Sequence, residues 1–463
     1  MPLLAWLLNL VYLAVAVPVI AYRVILKRKS LNAWREKFLG RVARRESTSP
    51  CLWIHAVSVG EVVQLEPLIE ALSQRRSDVE IVVSTTTATG FDVARKRYPE
   101  LQTFYFPLDF SWAVNAALSR IRPSAIVLVE LELWPNFIFA AARRGIPVML
   151  ANGRITERSF RGYRRIRPLI AAVLNRISVL AVQSELYARR LTQLGADTAR
   201  IHITGSIKFD RVEADRSNPR TMELRKAFGI GENERVLIAG STQAPEERYA
   251  IESYLSLKPK FPDLRLILVP RHKERFDEVA RLVEYEFKLP LIRRSTLLAP
   301  ACDSSPGPQA ASCASSRPIL LLDTLGELSS CWGLANIAFV GGSLTGRGGQ
   351  NMIEPAGFGA ALLFGPDTWN FKDVVELLLE NRAARVINGP AELTAQLDAL
   401  LADPAQALEL GNRARQLVAA QRGAAAQTIE LLLPFLPMQR EDKPAQSIAA
   451  GWPGRVQSTG RVA

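Results

Sequence analysis

Between residues 51 and 387 the chain repeats one pattern. A short apolar run rich in Val and Ile is followed by a break, then by roughly ten to fifteen residues with apolar positions at helical spacing. Runs that short, and apolar without alternation, read as strands covered on both faces. Their alternation with helices is the mark of parallel βαβ units. A chain of 463 residues is too long for one core, so two doubly wound sheets in series are expected, with a cleft between them.

The strands expected in the first half are 51–57, 80–85, 103–107, 125–130, 148–152, 179–183 and 201–204. In the second half they are 236–240, 264–269, 319–323, 338–341, 362–364 and 385–387. This places a first Rossmann-like domain at 46–208, a polar linker at 209–234 and a second domain at 235–436. A Ser, Ala and Pro-rich insertion at 298–318 and a tail from 437 lack periodicity and read as disordered.

Residues 3–22 form an apolar stretch in which Asn9 is the one strongly polar side chain, and Arg23, Lys27, Arg28 and Lys29 follow at once. That length suits a membrane anchor, and the flanking charges would keep the body on the cytoplasmic side. A helix lying in the interface is the other form such a segment takes. The net charge of +13 resides in residues 1–45 and 154–176, leaving the remainder close to neutral. Two basic patches on a neutral body fit an anionic lipid surface or acceptor. No zinc-finger spacing or aromatic RNA-binding run is present, so nucleic acid is not an expected partner. Four scattered cysteines lack metal-ligand spacing and fit a reducing compartment.

In a doubly wound sheet, ligands bind where strands end. Glu61 follows the first strand across Ser58-Val59-Gly60 and opens a helix. Glu130 and Glu132 follow the fourth strand, where alternation would point both into one space. Lys208 closes the first half. In the second half, Pro270 and Arg271 end one strand, and Leu325, Gly326 and Glu327 follow another. A glycine-rich run from Gly341 leads to Asn351 and Glu354, and backbone N–H groups there suit a phosphate. Asn351 is read as the start of a helix, with Glu354 as acceptor for the two hydroxyls of a ribose. The run lacks the lysine of a phosphate-binding P-loop. No His, Cys or carboxylate set has metal spacing, and His55 and His202 sit within strands as structural residues.

His55-Ala-Val-Ser-Val-Gly-Glu61, Glu130-Leu-Glu-Leu-Trp-Pro-Asn136, Ala151-Asn-Gly-Arg154, Gly205-Ser-Ile-Lys-Phe-Asp210, Val269-Pro-Arg-His272 and Gly341-Gly-Ser343 resemble the Kdo transferases of lipopolysaccharide synthesis. Those enzymes move 3-deoxy-D-manno-oct-2-ulosonic acid (Kdo) from CMP-Kdo to a lipid A precursor. The resemblance implies a GT-B fold, an inverting reaction without metal or cofactor, and a place on the cytoplasmic face of the inner membrane. It implies Glu61 as general base, with Glu130 and Lys208 stabilising the transition state. It also implies that Pro270, Arg271, Leu325, Gly326, Glu327, Asn351 and Glu354 hold CMP-Kdo, with a phosphorylated lipid A precursor of the lipid IVA type as acceptor. Gln350 and Gln243 stand where the resembled chains carry histidine. A membrane-tethered binder without catalysis, and a nucleotide-sugar epimerase of similar build, are the alternatives; donor turnover separates the first.

Overall fold

The computed structural model describes residues 6–10, 12–14, 33–298 and 317–437. The first sheet contains β1 Cys51–His55, β2 Glu80–Thr85, β3 Gln102–Tyr105, β4 Ala125–Val129, β5 Val148–Gly153, β6 Val179–Val182 and β7 Ile201–Ile203. Their order is β3-β2-β1-β4-β5-β6-β7. The second contains β8 Arg235–Thr242, β9 Leu264–Pro270, β10 Leu291–Arg293, β11 Ile319–Leu321, β12 Ile337–Val340, β13 Ala361–Phe364 and β14 Arg385–Val386. Its order is β10-β11-β9-β8-β12-β13-β14. All strand pairs are parallel.

The expected strands are all present. The central ones, β1, β4, β5, β12 and β13, are buried at every position, which is why their sequences do not alternate. Each fully buried Val, Ile or Leu on them contributes about 1.5–3 kcal/mol. The strand that periodicity missed is β10, a half-exposed edge of three residues whose length carries no pattern. Strand order reverses between β1 and β4 and again between β8 and β12. The ends of those four strands are therefore the crevices where a ligand can enter.

The C-terminal segment crosses back to the first domain, which corrects the simple partition. Residues 209–234 are not an open linker: helix Pro219–Ala227 is capped by Asn218 and sends Leu224 into the second core. The long C-terminal helical pattern breaks at Gly423, which has φ +97. Beyond it, helix Ala424–Leu432 returns to the first domain and buries Ala425, Ile429 and Leu432 in its core. Asp210 receives the N–H groups of Gly423 at 2.7 Å and Ala425 at 2.6 Å and so fixes that return.

Most of the segment 3–22 expected as an anchor, residues 299–316 of the insertion and the tail beyond residue 437 lie outside the described residues. Among the described residues no helix is long and apolar enough to cross a membrane. The described part of the N-terminal helix is docked on the first domain. Asn9, 3% exposed, accepts the N–H of Ser111 at 3.0 Å and donates to its hydroxyl at 2.8 Å. Asn136 donates to the same Asn9 oxygen at 3.2 Å, and Tyr12 donates to Asp109 at 3.0 Å. The one polar residue of the stretch is thus a tie to the body. Trp6, Leu7 and Leu10 face outward and exposed.

Candidate active site

The chain leaves β1 through Val57 and Ser58 into a short helix, Val59–Val63. Ser58 caps it and donates to Glu61 Oε1 at 2.7 Å, while Glu61 Oε2 accepts the Val57 N–H at 2.8 Å. Both carboxylate oxygens are thereby oriented, as in a capping box. Burial pushes the Glu61 carboxyl above its usual range; these hydrogen bonds oppose that, and the charge of Glu130 adds to it.

Glu130 reaches the same space by a route that alternation does not describe. β4 ends at Val129, and Glu130 takes a left-handed conformation with φ +62 while its N–H donates to Ala151 at 2.9 Å. Asn152, near the end of neighbouring β5, is left-handed as well, with φ +55. Such backbone costs about 1 kcal/mol or more per residue and persists only where surrounding contacts enforce it. Glu132 joins the group. Burial first, then the charges of Glu61 and Glu130, raise its carboxyl to about 7, with nearby Trp134 opposing. Three carboxylates thus converge at the crevice between β1 and β4. His55, by contrast, is fully buried against Phe106 and Ser84, and burial holds it neutral with its pKa at about 3.

Lys208 lies at the hinge between the domains. Ile207 packs into the first core and Phe209 into the second. The N–H of Ile207 donates to Asn152 Oδ1 at 3.3 Å, which ties the lysine's segment to the end of β5. A cavity of about 560 Å³ opens there, walled by Arg154, Tyr187 and Lys208 from one domain and Asp373 and Glu376 from the other. Arg154 reaches across it to Asp373 at 2.8 Å. Burial disfavours the Arg154 cation, but a hydrogen bond with Tyr187 and the charges of Asp373 and Glu130 outweigh it and hold its pKa above the usual range.

In the second domain the glycine-rich turn differs from its expected use. Glu246, fully buried in the first turn of helix Glu246–Leu257, accepts the N–H groups of Gly342 at 2.7 Å and of Ser343 and Leu344 at 3.0 Å. It also takes the N–H of Gln243 at 2.9 Å. The N–H groups at the start of the glycine-rich turn are therefore held by an internal carboxylate. Periodicity alone missed Glu246. The available signal was its place in the helix after β8, which matches that of Glu61 after β1.

Asn351 does not begin a helix. It precedes helix Ile353–Gly357, accepts the N–H of Ile353 at 3.0 Å and donates to Glu354 at 2.9 Å. Glu354 is raised by burial, against the Asn351 hydrogen bond. A Cβ on Gly342 would lie 3.2 Å from the Gln350 amide nitrogen and 3.6 Å from that of Gln243, so these two amides flank one turn. Pro270 is buried at the end of β9, and exposed Arg271 donates its N–H to Thr242 at 3.0 Å. Leu325 is exposed beside Gly326 after β11. Glu327 is engaged by Arg294 at 2.8 Å, and Arg294 also binds Glu223 at 2.8 Å. Burial favours the neutral form of Glu327, but hydrogen bonds from Arg294 and Thr324 outweigh it and hold the carboxyl below its usual range. β11, β9, β8 and β12 are consecutive in the sheet, so these second-domain groups share one edge.

Residues 32–211 match the family model described as 3-Deoxy-D-manno-octulosonic-acid transferase (kdotransferase). The 3-deoxy-D-manno-octulosonic acid transferase of Haemophilus influenzae is 33% identical over 387 residues, covering 83% of this chain and 87% of that one. That of Bordetella pertussis is 31% identical over 424 residues, covering 88% and 94%. The fold is shared with UDP-GlcNAc 2-epimerase from Neisseria meningitidis bound to UDP-GlcNAc, at TM-score 0.55 and 14% identity over 83% of this chain and all of that one. That likeness concerns architecture alone, because the same two-domain frame hosts different chemistries. The sequence matches make this chain a glycosyltransferase that belongs to the 3-deoxy-D-manno-octulosonic acid transferase family.

Proposed function

We propose that the protein transfers Kdo from CMP-Kdo to a sugar hydroxyl of a phosphorylated lipid A precursor of the lipid IVA type, with inversion. The observation that carries this reading is Glu61, held by Val57 and Ser58 where the strand order reverses between β1 and β4. A sugar hydroxyl is a weak nucleophile, and a buried carboxylate with a raised pKa is suited to take its proton. The acceptor oxygen attacks the anomeric carbon as the bond to the CMP phosphate breaks, and the hydroxyl proton passes to Glu61. One displacement inverts that carbon. CMP departs with the electron pair, and its negative phosphate calls for cations; Lys208 at the hinge and Arg271 after β9 would supply them. Glu130 would stabilise the positive charge that develops on the sugar.

Pro270, Leu325, Gly326, Glu327, Asn351 and Glu354 share the sheet edge that would hold the donor. Glu327 would act there through the turn that Arg294 fixes rather than as a free carboxylate. No step in this scheme is assigned to a metal or cofactor. The reading also places the protein on the cytoplasmic side of the inner membrane. Support comes from the basic run after residue 22 and from Trp6, Leu7 and Leu10 exposed on a helix whose other side is pinned by Asn9.

Glu61→Gln keeps the side-chain shape and removes proton acceptance. With CMP-Kdo and tetra-acylated lipid A precursor, followed by mass spectrometry of the lipid, kcat should fall by at least about 10²-fold while donor binding holds. Near-normal turnover removes Glu61 from the mechanism. Wild-type protein that binds the donor without adding mass to the lipid leaves a binder rather than a transferase.

A further inference from the structure

The transferred sugar is an acid, and its carboxylate is bonded directly to the carbon that is attacked. Under the reading above, that carboxylate must sit within a few ångströms of Glu61 and Glu130, where like charge repels it. A cation is needed beside it that is not committed to the leaving phosphate.

We infer that Arg154 receives the carboxylate of the transferred sugar acid, and that Asp373 competes with that carboxylate for the same guanidinium. This rests on the donor being CMP-Kdo. Arg154 follows β5, the strand next to β4 in the sheet, and it feels the charge of Glu130. Its side chain is 24% exposed and lines the interdomain cavity together with Lys208. Lys208 faces the same cavity from the hinge, and Arg271 lies at the donor edge of the other domain. Arg154 is therefore the cation placed between the carboxylate cluster and the donor domain. Its planar fork matches a carboxylate in a way that a lysine does not.

The tie to Asp373 is poorly made for its distance. The contact to Oδ2 is 2.8 Å from Nε, yet Nε is buried without an aligned hydrogen-bond partner. Asp373 lies in the first turn of helix Lys372–Glu380 with its side chain 43% exposed, so it can turn to water when displaced. Arg154, more enclosed, stays. The charged groups lining the cavity, Arg154, Lys208 and Arg422 against Asp373, Glu376 and Glu380, balance one another. The cavity as a whole therefore does not select an anion. Selection requires release of one cation from its partner, and the pair that spans the two domains is the one a bound sugar acid would separate.

The test exploits opposite signs. Arg154→Ala should weaken CMP-Kdo binding by about 10- to 100-fold, as loss of charge-assisted hydrogen bonds does, and leave CMP binding unchanged. Arg154→Lys should fall between wild type and Arg154→Ala. Asp373→Asn removes the competitor and should tighten CMP-Kdo by about threefold, again without effect on CMP. Calorimetry with CMP-Kdo and with CMP, on wild type and the three variants checked by thermal melting, gives all eight values. If Asp373→Asn and Arg154→Ala weaken CMP-Kdo alike, the pair is only a tie between domains and the inference is wrong. If CMP binding falls in step with CMP-Kdo, Arg154 serves the nucleotide or the fold and the inference is again wrong. Wild type that binds CMP-Kdo no better than CMP also overturns it. Failure to glycosylate lipid, with these donor-binding contrasts intact, would instead remove the acceptor part of the proposed function.

Discussion

Glu246 Oε2 accepts the N–H of Gly342 at 2.7 Å, joining the helix after β8 to the glycine-rich turn after β12. With Gln243, Ser343 and Leu344 it closes four hydrogen bonds on one buried carboxylate. The amide of Glu246→Gln would set an NH₂ group against backbone N–H groups. The cost should be about 3 kcal/mol, seen as a lowered Tm, with a raised KM for CMP-Kdo as the turn loosens. An unchanged Tm would mean that the turn holds its shape without this residue.

Glu132 makes activity and stability depend on pH in separate ways. Its carboxylate lies with Glu61, Glu130 and Tyr163, and with Trp134. The charge of Glu61 helps to raise Glu132, so Glu132 ionises after it; Glu132→Gln should remove an ionisation near pH 7 from kcat/KM and leave the acid limb in place. For stability, the folded-state pKa is raised from 4.5 to about 7. The group therefore favours the folded state fully below 4.5, and that advantage is lost as pH rises through about 7. Glu132→Gln should flatten the decline of Tm across this window. The flattening is partial, because burial also raises Asp109 to about 7, against hydrogen bonds from Asn136, Phe137 and Tyr12. An acid limb that shifts in Glu132→Gln, measured alongside a full Tm profile, would show that Glu132 is already charged when Glu61 ionises.

Asn9 links the N-terminal helix to Ser111 and Asn136. Removing residues 1–22 should therefore cost stability, besides any release from membranes that the proposed attachment entails. It uncovers Asp109, Ser111 and Asn136, and Tm should fall by several degrees. Asn9→Leu keeps the apolar character of the helix and should lower Tm while membrane association is retained. A truncated protein as stable as the full chain would make the segment an anchor only.

Helix Glu157–Arg165 buries only Phe160 and presents Arg158, Arg161, Arg164 and Arg165 to solvent. Part of that charge is engaged, since Arg161 meets Glu157 at 2.9 Å. Arg161, Arg164 and Arg165 changed together to Ser should raise KM for the phosphorylated lipid acceptor and flatten its dependence on salt. KM for CMP-Kdo should not move, because the donor edge lies in the other domain. An acceptor KM that is equal to wild type at low and high salt would make this face plain surface.

The strands were legible because burial on both faces left continuous apolar runs, and β10 was not because three half-exposed residues carry no period. Glu61 could be placed from sequence because a strand, a glycine turn and a helix start are all local features. Glu130 was placed by the wrong reason. Alternation assumed extended backbone, whereas its φ of +62 arises from the turn where β4 stops. Local sequence alone did not tell a phosphate cradle from a turn held by Glu246, which lies ninety-six positions from Gly342. Nor did it give the Arg154–Asp373 contact, the docking of Asn9 or the return of helix Ala424–Leu432. Those depend on which surfaces meet when two separately patterned sheets pack. Sequence thus determined the elements and most of the groups at their ends; tertiary structure decided which charges face one another, because charge pairing acts through space and leaves no period along the chain.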